Sequence, residues 1–476
     1  MRVAGLLRAI AASGCLLWGT APAAQADATP AFPTFDVEPC CQLCPAAANP
    51  AAYSTPFLRS FKMLVQGTGG WLFRSEDDLM TAFGPDEQGL RSLVRMRKAL
   101  RRQGVELVIV MQPPRGLMHK DRLSDAQRQV YNAELAQFSY ARALQRLREA
   151  GFVVPDLERL VYEGGRDSFF FRSDHHWTPE GARRTAEVVA ERVKQMPEYQ
   201  ALPRKRFVTR RAGLLGKNGT MDSAAQRLCG YDAPRQYVQS YVTELEGETD
   251  ASGLLGEPEP PPITLIGTSN SDPAYNFAGF LQELLEVDIL NAAIAGGGLD
   301  GAPLSYLPSE EFREHPPKIL IWELEPYHNL SDDMFYRRVI PVIEGGCDAR
   351  PASLSAHLEL KNGRNEVLFN GGGEVLDLRA GDQLLDLRFS NPVLPKLQTV
   401  VWYTNGRKDE MSIEPDNLDS SGRFLTELRQ DQDYGSFTFL SLDLNAENLP
   451  PGTTVEARLC NRRLPPATIT AQRSEP

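Results

Sequence analysis

The chain has 476 residues, of which 42% are hydrophobic and 24% are charged, and its formal net charge is −11. This composition is that of a globular protein, and the length exceeds one ordinary core, so we expect two domains or three at most. The acidic balance argues against broad binding to nucleic acid or to an anionic membrane. An anionic partner would have to bind at a local cluster of cations.

The N-terminus has the pattern of a signal peptide. Arg2 precedes a short apolar run, AIAASGCLLWG, and residues 24–26 (AQA) form a cleavage site of small residues. We therefore expect residues 1–26 to be removed on export; the alternative is a lipoprotein signal ending at Cys15, which Ala12 matches poorly. The apolar run is too short for a permanent membrane span, and no later run approaches 18 apolar residues.

Cysteine usage agrees with export. Six cysteines follow the expected cleavage site: Cys40, Cys41, Cys44, Cys229, Cys347 and Cys460. An even number in an exported chain predicts disulfides, although six cysteines allow 15 connectivities. The run CCQLC could instead suggest zinc, but no second ligand pair of suitable spacing follows it, and an oxidising compartment disfavours thiolate sites.

The region from residue 27 to about 345 is expected to be an α/β domain. After an irregular leader rich in Pro and Ala, helical periodicity covers about 87–104, 125–149 and the stretch after Thr178. Short apolar runs alternate with these helices: ELVIVMQ (106–112), FVVPD (152–156), ITLIG (263–267), VDILNAA (287–293) and KILIWEL (318–324). Continuous apolar strands between helices predict a parallel sheet that is covered on both faces.

Residues 346–476 have a different pattern. Short runs of alternating polarity, such as SLSAHLEL, TVVWYTNG and SFTFLSLDL, are separated by Gly, Asn, Asp and Pro. This pattern is typical of an antiparallel β-sandwich. The sequence therefore predicts an α/β domain followed by an all-β domain.

Two polar segments of the α/β domain stand where such domains carry their chemistry. RSDHHWTPEG (172–181) lies at the start of a helix, and GTSNS (267–271) follows a strand directly. Loops beyond the carboxyl ends of parallel strands meet at one edge of the sheet. An acid, a histidine and a serine on such loops are the parts of an acyl-transfer triad.

Strand geometry selects one of the two adjacent histidines. In an extended segment, side chains alternate, so Asp174 and His176 would share one face while His175 would point to the other. We therefore expect Asp174 to orient His176 and His176 to take the proton from Ser269. His175 is expected to pack or to make a bond in the outer shell.

Other interpretations of these residues are weaker. As a metal site, Asp174, His175 and His176 would supply at most two ligands to one ion, with no third partner of obvious spacing. As a helix cap they are superfluous, because Thr178 already supplies that function.

The oxyanion of an acyl-transfer reaction requires backbone donors. Ser269 lies before a helix, so its own amide is one candidate. Residues 296–301 (GGGLDG) satisfy the dinucleotide pattern G-x-G-x-x-G, but they come late in the domain of an exported chain. We expect this loop to line the site, with Gly298 as a second oxyanion donor.

Four motifs carry a family resemblance. The chain resembles the AlgX family of alginate O-acetyltransferases, which are SGNH-like acyltransferases with a C-terminal carbohydrate-binding module. The resemblance lies in GTSNS with a downstream Tyr275, the DHHW block, GGWLF and IWELEPYH. The resemblance covers essentially the whole chain. It implies Ser269 as nucleophile, His176 as general base and Asp174 as the acid, in an order and a D-x-H spacing typical of that family.

The resemblance implies a periplasmic enzyme that transfers acetyl groups to O-2 or O-3 of mannuronate units in nascent alginate. Such an enzyme would need no cofactor and would work beside a secretion apparatus that includes the lipoprotein AlgK; the acetyl donor is not specified. A secreted acetyl-polysaccharide esterase and a non-catalytic polymer-binding scaffold are the alternatives.

Substrate contacts are expected in both domains. The resemblance implies Tyr275 and Tyr327 in the first domain, and a polymer-binding face in the second at Lys396, Thr399, Trp402, Tyr403, Arg407 and Lys408. The stretch LPKLQTVVWYTNGRKDE supplies cations and aromatic rings, which a polyanion of sugar rings requires. Strand alternation predicts that one of the two adjacent aromatic residues packs in the core instead.

Two disulfide pairs are expected. Cys347 and Cys460 bracket the predicted sandwich, so a bond between them would join its first strand to its last. A bond between Cys44 and Cys229 would attach the leader to the α/β domain.

Overall fold

The computed structural model describes residues 43–163, 169–247, 259–415 and 418–463. The predicted signal peptide with Cys15, and the adjacent Cys40 and Cys41, lie outside these residues. Within the described ranges, no helix has both the length and the apolar character that a membrane crossing requires.

The first domain contains a four-stranded parallel sheet. The strands of this domain, in chain order, are β1 Leu64–Gln66, β2 Leu72–Arg74, β3 Glu106–Met111, β4 Phe207–Lys217, β5 Gln236–Leu245, β6 Ile263–Ile266, β7 Ile289–Asn291 and β8 Ile319–Leu324. The parallel sheet has the order β3-β8-β6-β7. Every residue of β3, β6 and β8 is buried, so both faces of the sheet are covered, which confirms the predicted fold class.

The helices of the first domain connect and cover these strands. They are α1 Pro56–Arg59, α2 Glu87–Arg102, α3 Arg115–Met118, α4 Asp125–Val130, α5 Ala133–Glu149, α6 Glu158–Tyr162, α7 Pro179–Val193, α8 Pro197–Gln200, α9 Thr220–Cys229, α10 Phe277–Leu285, α11 Gly301–Tyr306, α12 Glu310–Glu314 and α13 Asp333–Ile343. Thr178 caps α7 by accepting a hydrogen bond from the Gly181 amide, and Pro179 occupies its first turn. This fixed start orients the DHHW segment immediately before it.

Two predicted elements differ from the structure. The helix expected over 125–149 is two helices, because Asn132 leaves the helical conformation and its side chain caps α5 by accepting from the Leu135 amide. The strand expected at FVVPD is a single parallel bridge between Val153 and Val108. Pro155 follows this bridge and has no amide hydrogen for a further sheet bond.

A two-stranded antiparallel ribbon packs against α10 of the α/β core. It is formed by β4 and β5, with α9 between them in the chain. A disulfide joins Cys229, the last residue of α9, to Cys44 of the leader. The leader and α9 also share a small apolar cluster that includes Tyr53, Leu58 and Met221.

The second domain is a sandwich of two four-stranded antiparallel sheets. Its strands are β9 Ala352–Glu359, β10 Gly363–Phe369, β11 Gln383–Phe389, β12 Leu397–Tyr403, β13 Lys408–Ile413, β14 Arg423–Glu427, β15 Phe439–Ala446 and β16 Thr454–Asn461. The sheet orders are β10-β15-β12-β13 and β14-β11-β16-β9, which confirms the predicted architecture. A disulfide between Cys347 and Cys460 joins the segment before β9 to the end of β16.

Candidate active site

The DHHW segment forms a compact turn around the Asp174 carboxylate. The His176 amide donates to Asp174 Oδ1 at 2.9 Å, and His176 Nδ1 lies 2.5 Å from the same oxygen. The Thr220 amide donates to Asp174 Oδ2 at 2.8 Å. The segment is therefore a bend and not the extended chain for which alternating side-chain directions were expected. Asp174 and His176 meet because the aspartate bonds the backbone two residues onward.

Ser269 faces the other side of the His176 ring. It follows β6 and begins a single 3₁₀ turn, Ser269–Ser271, and its Oγ lies 2.7 Å from His176 Nε2. Asp174 is 1% exposed and His176 is 6% exposed, whereas Ser269 is partly exposed. The structure thus brings the three predicted residues into one chain of hydrogen bonds, with its hydroxyl end open to a ligand. Such a chain can activate a serine for acyl transfer.

The charge of Asp174 is well supported. Burial raises the pKa of its carboxyl, but the bond to His176 and the nearby positive charges, including Lys217, outweigh it, so the pKa lies well below its usual range. The carboxylate therefore stays ionised at all physiological pH values. It can fix the His176 tautomer and stabilise the imidazolium that forms when Ser269 is deprotonated.

His175 lies beside His176 and does not point away from it. The two ring centroids are 3.8 Å apart, and His175 Nδ1 lies 2.7 Å from Thr220 Oγ1. Burial and the neighbouring His176 lower the pKa of His175 well below its ordinary value. His175 is thus a neutral ring that packs against the base, with a polar bond away from Ser269.

Tyr275 packs on the base from the other side. Its ring centroid is 5.3 Å from that of His176 and nearly parallel to it, and its hydroxyl is hydrogen-bonded by Lys217 Nζ. Burial and the charge of Asp174 raise the pKa of the Tyr275 hydroxyl above its usual range, so it stays protonated. Lys217, at the end of β4, is not among the site residues predicted from the sequence.

A buried carboxylate holds the serine turn. Glu323, fully buried in β8, accepts from the Thr268 amide at 2.7 Å, from Thr268 Oγ1 at 3.0 Å and from Ser271 Oγ at 3.1 Å, and Gln112 donates to it as well. Burial raises the pKa of Glu323 to about 7. A Cβ on Gly267 would lie 2.5 Å from a Glu323 oxygen, which explains the glycine before Thr268.

Asn270 joins the serine turn to the histidine segment. Its side-chain oxygen accepts from the Trp177 amide at 3.1 Å, and its backbone carbonyl accepts from Trp177 Nε1 at 2.7 Å. Its side-chain nitrogen donates to Glu325 Oε1 at 2.8 Å. Neither Glu325 nor Asn270 is predicted from the sequence, although two acids in the otherwise apolar end of β8 are a signal for such a role.

Tyr327 lies one step further from the serine. Its hydroxyl donates to Glu325, and its ring lies under the Arg74 guanidinium, 4.7 Å from the ring centroid. Tyr327, Arg74 and His175 line a small polar cavity of about 10 Å³. Tyr327 is therefore part of the supporting network, and its predicted contact with substrate stays a prediction.

The two predicted oxyanion donors differ in their position relative to the serine turn. The Ser269 amide is at the first position of the 3₁₀ turn, and within the described ranges it has no hydrogen-bond partner. Gly298 has a left-handed φ of 57°, and no heavy atom lies within 4 Å of the place of a Cβ. It makes no described contact with Ser269, so its role stays a prediction.

The metal interpretation can be compared with the donor atoms. Asp174, His175 and His176 each offer one ligand atom, and these atoms lie within 4.8 Å of one another, which makes three ligands and not the expected two. However, both Asp174 oxygens and both His176 ring nitrogens are already in hydrogen bonds with Thr220, Ser269 or each other. These donors fit the triad arrangement better than a metal site.

The residues predicted to bind polymer in the second domain divide into two groups. Thr399 and Tyr403 are wrong as polymer contacts, because both are 0% exposed on the inward face of β12. The Tyr403 ring packs on Phe437 and Tyr434 in the sandwich core. Strand alternation thus puts one of the two adjacent aromatic residues inside, and it is Tyr403.

The other four are at the surface. Trp402 is partly exposed and donates from Nε1 to Asp443 at 2.9 Å, with Lys408 Nζ 5.7 Å from its ring centroid. Lys396 and Lys408 are exposed but pair with Glu414 and Glu410. Arg407 is exposed in the turn between β12 and β13.

Comparison with known proteins identifies the family. The model of the SGNH hydrolase-like domain of acetyltransferase AlgX matches residues 64–326, and that of a C-terminal carbohydrate-binding module matches residues 346–472. The alginate biosynthesis protein AlgX of Pseudomonas aeruginosa is 43% identical over 456 residues, covering 95% of each chain. AlgX of Azotobacter vinelandii is 39% identical, covering 94% of each.

A shorter relative matches the first domain. The probable alginate O-acetylase AlgJ of Pseudomonas aeruginosa is 30% identical over 285 residues, which are 57% of this chain and 72% of AlgJ. Among solved structures, Pseudomonas aeruginosa AlgX superposes with a TM-score of 0.79 and 43% identity, covering 88% of this chain and 99% of that one. With this fold, these two domains and this identity over nearly its whole length, the chain belongs to the AlgX family.

Proposed function

We propose that the protein is a periplasmic O-acetyltransferase that acetylates mannuronate residues of alginate through an acetyl-enzyme on Ser269. The observation that carries the proposal is the chain of hydrogen bonds from Asp174 through His176 to Ser269. The names of the relatives, an alginate biosynthesis protein and a probable alginate O-acetylase, support the substrate and the group transferred.

The first half-reaction forms the acetyl-enzyme. His176 Nε2 takes the proton from Ser269 Oγ, and Oγ forms a bond to the carbonyl carbon of the acetyl donor. When the tetrahedral intermediate collapses, the bond to the leaving group breaks, and that group takes the proton from His176. Asp174 would stabilise the imidazolium between these steps, and the Ser269 amide, which makes no hydrogen bond within the described residues, would donate to the oxyanion.

The second half-reaction regenerates the serine. A sugar hydroxyl gives its proton to His176 and attacks the acetyl carbon, and Ser269 leaves with the same proton. The sandwich domain would hold the polymer meanwhile, with Arg407 and Trp402 as exposed contacts. In the cell, the enzyme would act on alginate during export, beside a secretion complex that includes the lipoprotein AlgK.

An acetyl-polysaccharide esterase is the second candidate, and one observation favours it. Ser269 is partly exposed, so water can reach an acetyl-enzyme when no sugar is bound. A non-catalytic scaffold is a third possibility from a different class, which the intact triad geometry argues against.

One experiment separates all three functions. Purified protein is incubated with an aryl acetate donor and mannuronate oligomers, and acetylated oligomer and free acetate are both measured by mass spectrometry. A transferase yields acetylated oligomer, an esterase yields only acetate, and a scaffold yields neither above background. Ser269→Ala is the matched control, and it should abolish both products as well as labelling by a fluorophosphonate probe.

A further inference from the structure

An open cleft rich in arginine includes Arg172, which is two residues before Asp174 of the candidate triad. Its volume is about 460 Å³, and its side chains include Arg122, Arg172, Arg235, Gln236 and Tyr237. This volume is in the range of ligand pockets, which are roughly 300–1,000 Å³. No aspartate or glutamate of the described residues lines it.

A series of contacts through the β4–β5 ribbon connects this arginine cleft to the triad. Arg172 is two residues before Asp174, and its amide donates to Gln236 Oε1 at 2.9 Å. Gln236 is paired with Lys217 across the β4–β5 ribbon, and Lys217 donates to the hydroxyl of Tyr275, whose ring packs on His176. The cleft is therefore linked to His176 through Gln236, Lys217 and Tyr275.

Two of the three arginines of the cleft form no ion pair within the described residues. Arg172 and Arg235 are exposed, and neither forms an ion pair with a described carboxylate; Arg235 donates to the Gly216 carbonyl at 3.1 Å. Arg122 pairs with Asp121 at 3.3 Å at the rim. In a chain of net charge −11, a group of arginines without acids in the lining is a local positive field. The planar guanidinium fork matches a carboxylate better than an ammonium group does.

The cleft also contains an exposed aromatic ring, and one of its edges is open. Tyr237 is 60% exposed, so its ring is accessible to a ligand, and the Arg235 guanidinium lies 5.8 Å from the ring centroid. Gly69 borders the cleft, and no heavy atom lies within 4 Å of where a Cβ of the neighbouring Gly70 would be. An aromatic face beside cations suits a sugar ring that carries a carboxylate.

We propose that the arginine cleft binds carboxylates of the acceptor chain next to the sugar that is acetylated, and so selects polyuronates over neutral glycans. Arg172 and Arg235 would hold the carboxylates, and Tyr237 would pack against a pyranose ring. The inference rests on the proposed acetyl transfer only for the identity of the acceptor.

The test measures binding without turnover. In the Ser269→Ala background, short mannuronate oligomers are titrated by calorimetry against protein with Arg172→Gln and Arg235→Gln together. Arg210→Gln with Arg211→Gln, at exposed positions on the same ribbon, is the matched control. We expect the Kd to rise about tenfold for each lost arginine, and its salt dependence to become shallower, with no change in the control. Mannose oligomers of equal length should bind weakly to all proteins.

A second pair of substitutions tests whether a change in Kd comes from misfolding of the variant. Arg172→Lys with Arg235→Lys keeps the charge and loses the fork, so an intermediate Kd is expected. An unchanged Kd in the double Gln variant, or equal binding of mannose oligomers by the parent, would overturn the cleft assignment. If oligomers bind as expected while wild type fails to acetylate them, the proposed function is wrong and the cleft stands.

Discussion

The buried Glu323 gives a prediction about stability that depends on pH. Replacing it with glutamine keeps the shape of the side chain and removes its ability to ionise. In the wild type, burial raises the pKa of this carboxyl from 4.5 to about 7, so the folded protein favours the protonated form. The stabilisation from the protonated group is full below pH 4.5 and is lost as the pH rises to about 7.

The magnitude follows from the two pKa values. A rise from 4.5 to about 7 corresponds to about 3 kcal/mol of free energy of unfolding. Near pH 4 the variant should be less stable than the wild type by about 1 kcal/mol, because an amide is a poorer partner for the Thr268 and Ser271 donors. Near pH 8 this deficit should disappear, and the variant should be more stable by about 2 kcal/mol.

The assay is urea unfolding of both proteins at several pH values, followed by tryptophan fluorescence. Of the four tryptophans that follow the predicted signal peptide, Trp71, Trp177 and Trp322 are buried in the first domain and Trp402 lies in the sandwich, so most of the signal comes from the domain that contains Glu323. Glu314→Gln, an exposed position in α12, controls for loss of one carboxylate. A stability difference between Glu323→Gln and wild type that stays constant from pH 4 to pH 8 would refute the reasoning.

Three further predictions concern other sites. His175→Ala should keep substantial acetyl transfer in the oligomer assay, because this ring does not contact Ser269; a dead variant would mean that the wrong histidine is assigned as base. Cys347→Ser with Cys460→Ser removes a disulfide between two residues that are 113 positions apart in the sequence. The denaturation midpoint of the sandwich should fall by an amount that corresponds to about 4–5 kcal/mol of unfolding free energy, and reduction of the wild type should lower the midpoint of this domain equally. Arg407→Ala with Lys408→Ala should weaken binding to long polymannuronate at low salt, mostly through Arg407, since Lys408 is already paired; unchanged binding would show that the polymer lies elsewhere.

The parts of the fold that are readable from the sequence are those with strong hydrophobic patterns. The centres of the runs ELVIVMQ and KILIWEL, LVIVM and ILIW, are continuously apolar because both faces of their strands are buried, and this predicts the parallel sheet directly. Thr178 and Pro179 likewise predict the start of α7, because one is a preferred N-cap residue and the other a preferred first-turn residue. Patterns of this kind depend on neighbours within a few residues, so they can be read without the tertiary structure.

The supporting contacts of the site depend on tertiary proximity. Glu323 bonds Thr268 and Glu325 bonds Asn270, across a separation of 55 residues, because β8 and β6 are neighbours in the sheet. Strand order cannot be read from local pattern, so these partners are not predictable residue by residue. The bend at Asp174 is a different case. Strand alternation predicts that Asp174 and His176 lie on one face, and the structure does bring these two residues together. However, they meet because the His176 amide donates to the Asp174 side chain, and not because the chain is extended.

In the proposed mechanism, transfer and hydrolysis share the same acetyl-enzyme, so the balance between them depends on what reaches Ser269. The turn that carries the serine is held by Glu323 and Asn270, and His176 is held by Asp174, while Ser269 itself is partly exposed. A hydroxyl that is held in line with a reacting carbon can reach effective concentrations of about 10⁵ M or more, far above that of water. Acceptor binding in the arginine cleft and on the sandwich, as proposed above, would therefore favour transfer by positioning the sugar, and it would not require that water be excluded from the empty site. The fraction of acetyl groups transferred should then rise with acceptor occupancy, and in the absence of polymer the enzyme should behave as a slow esterase.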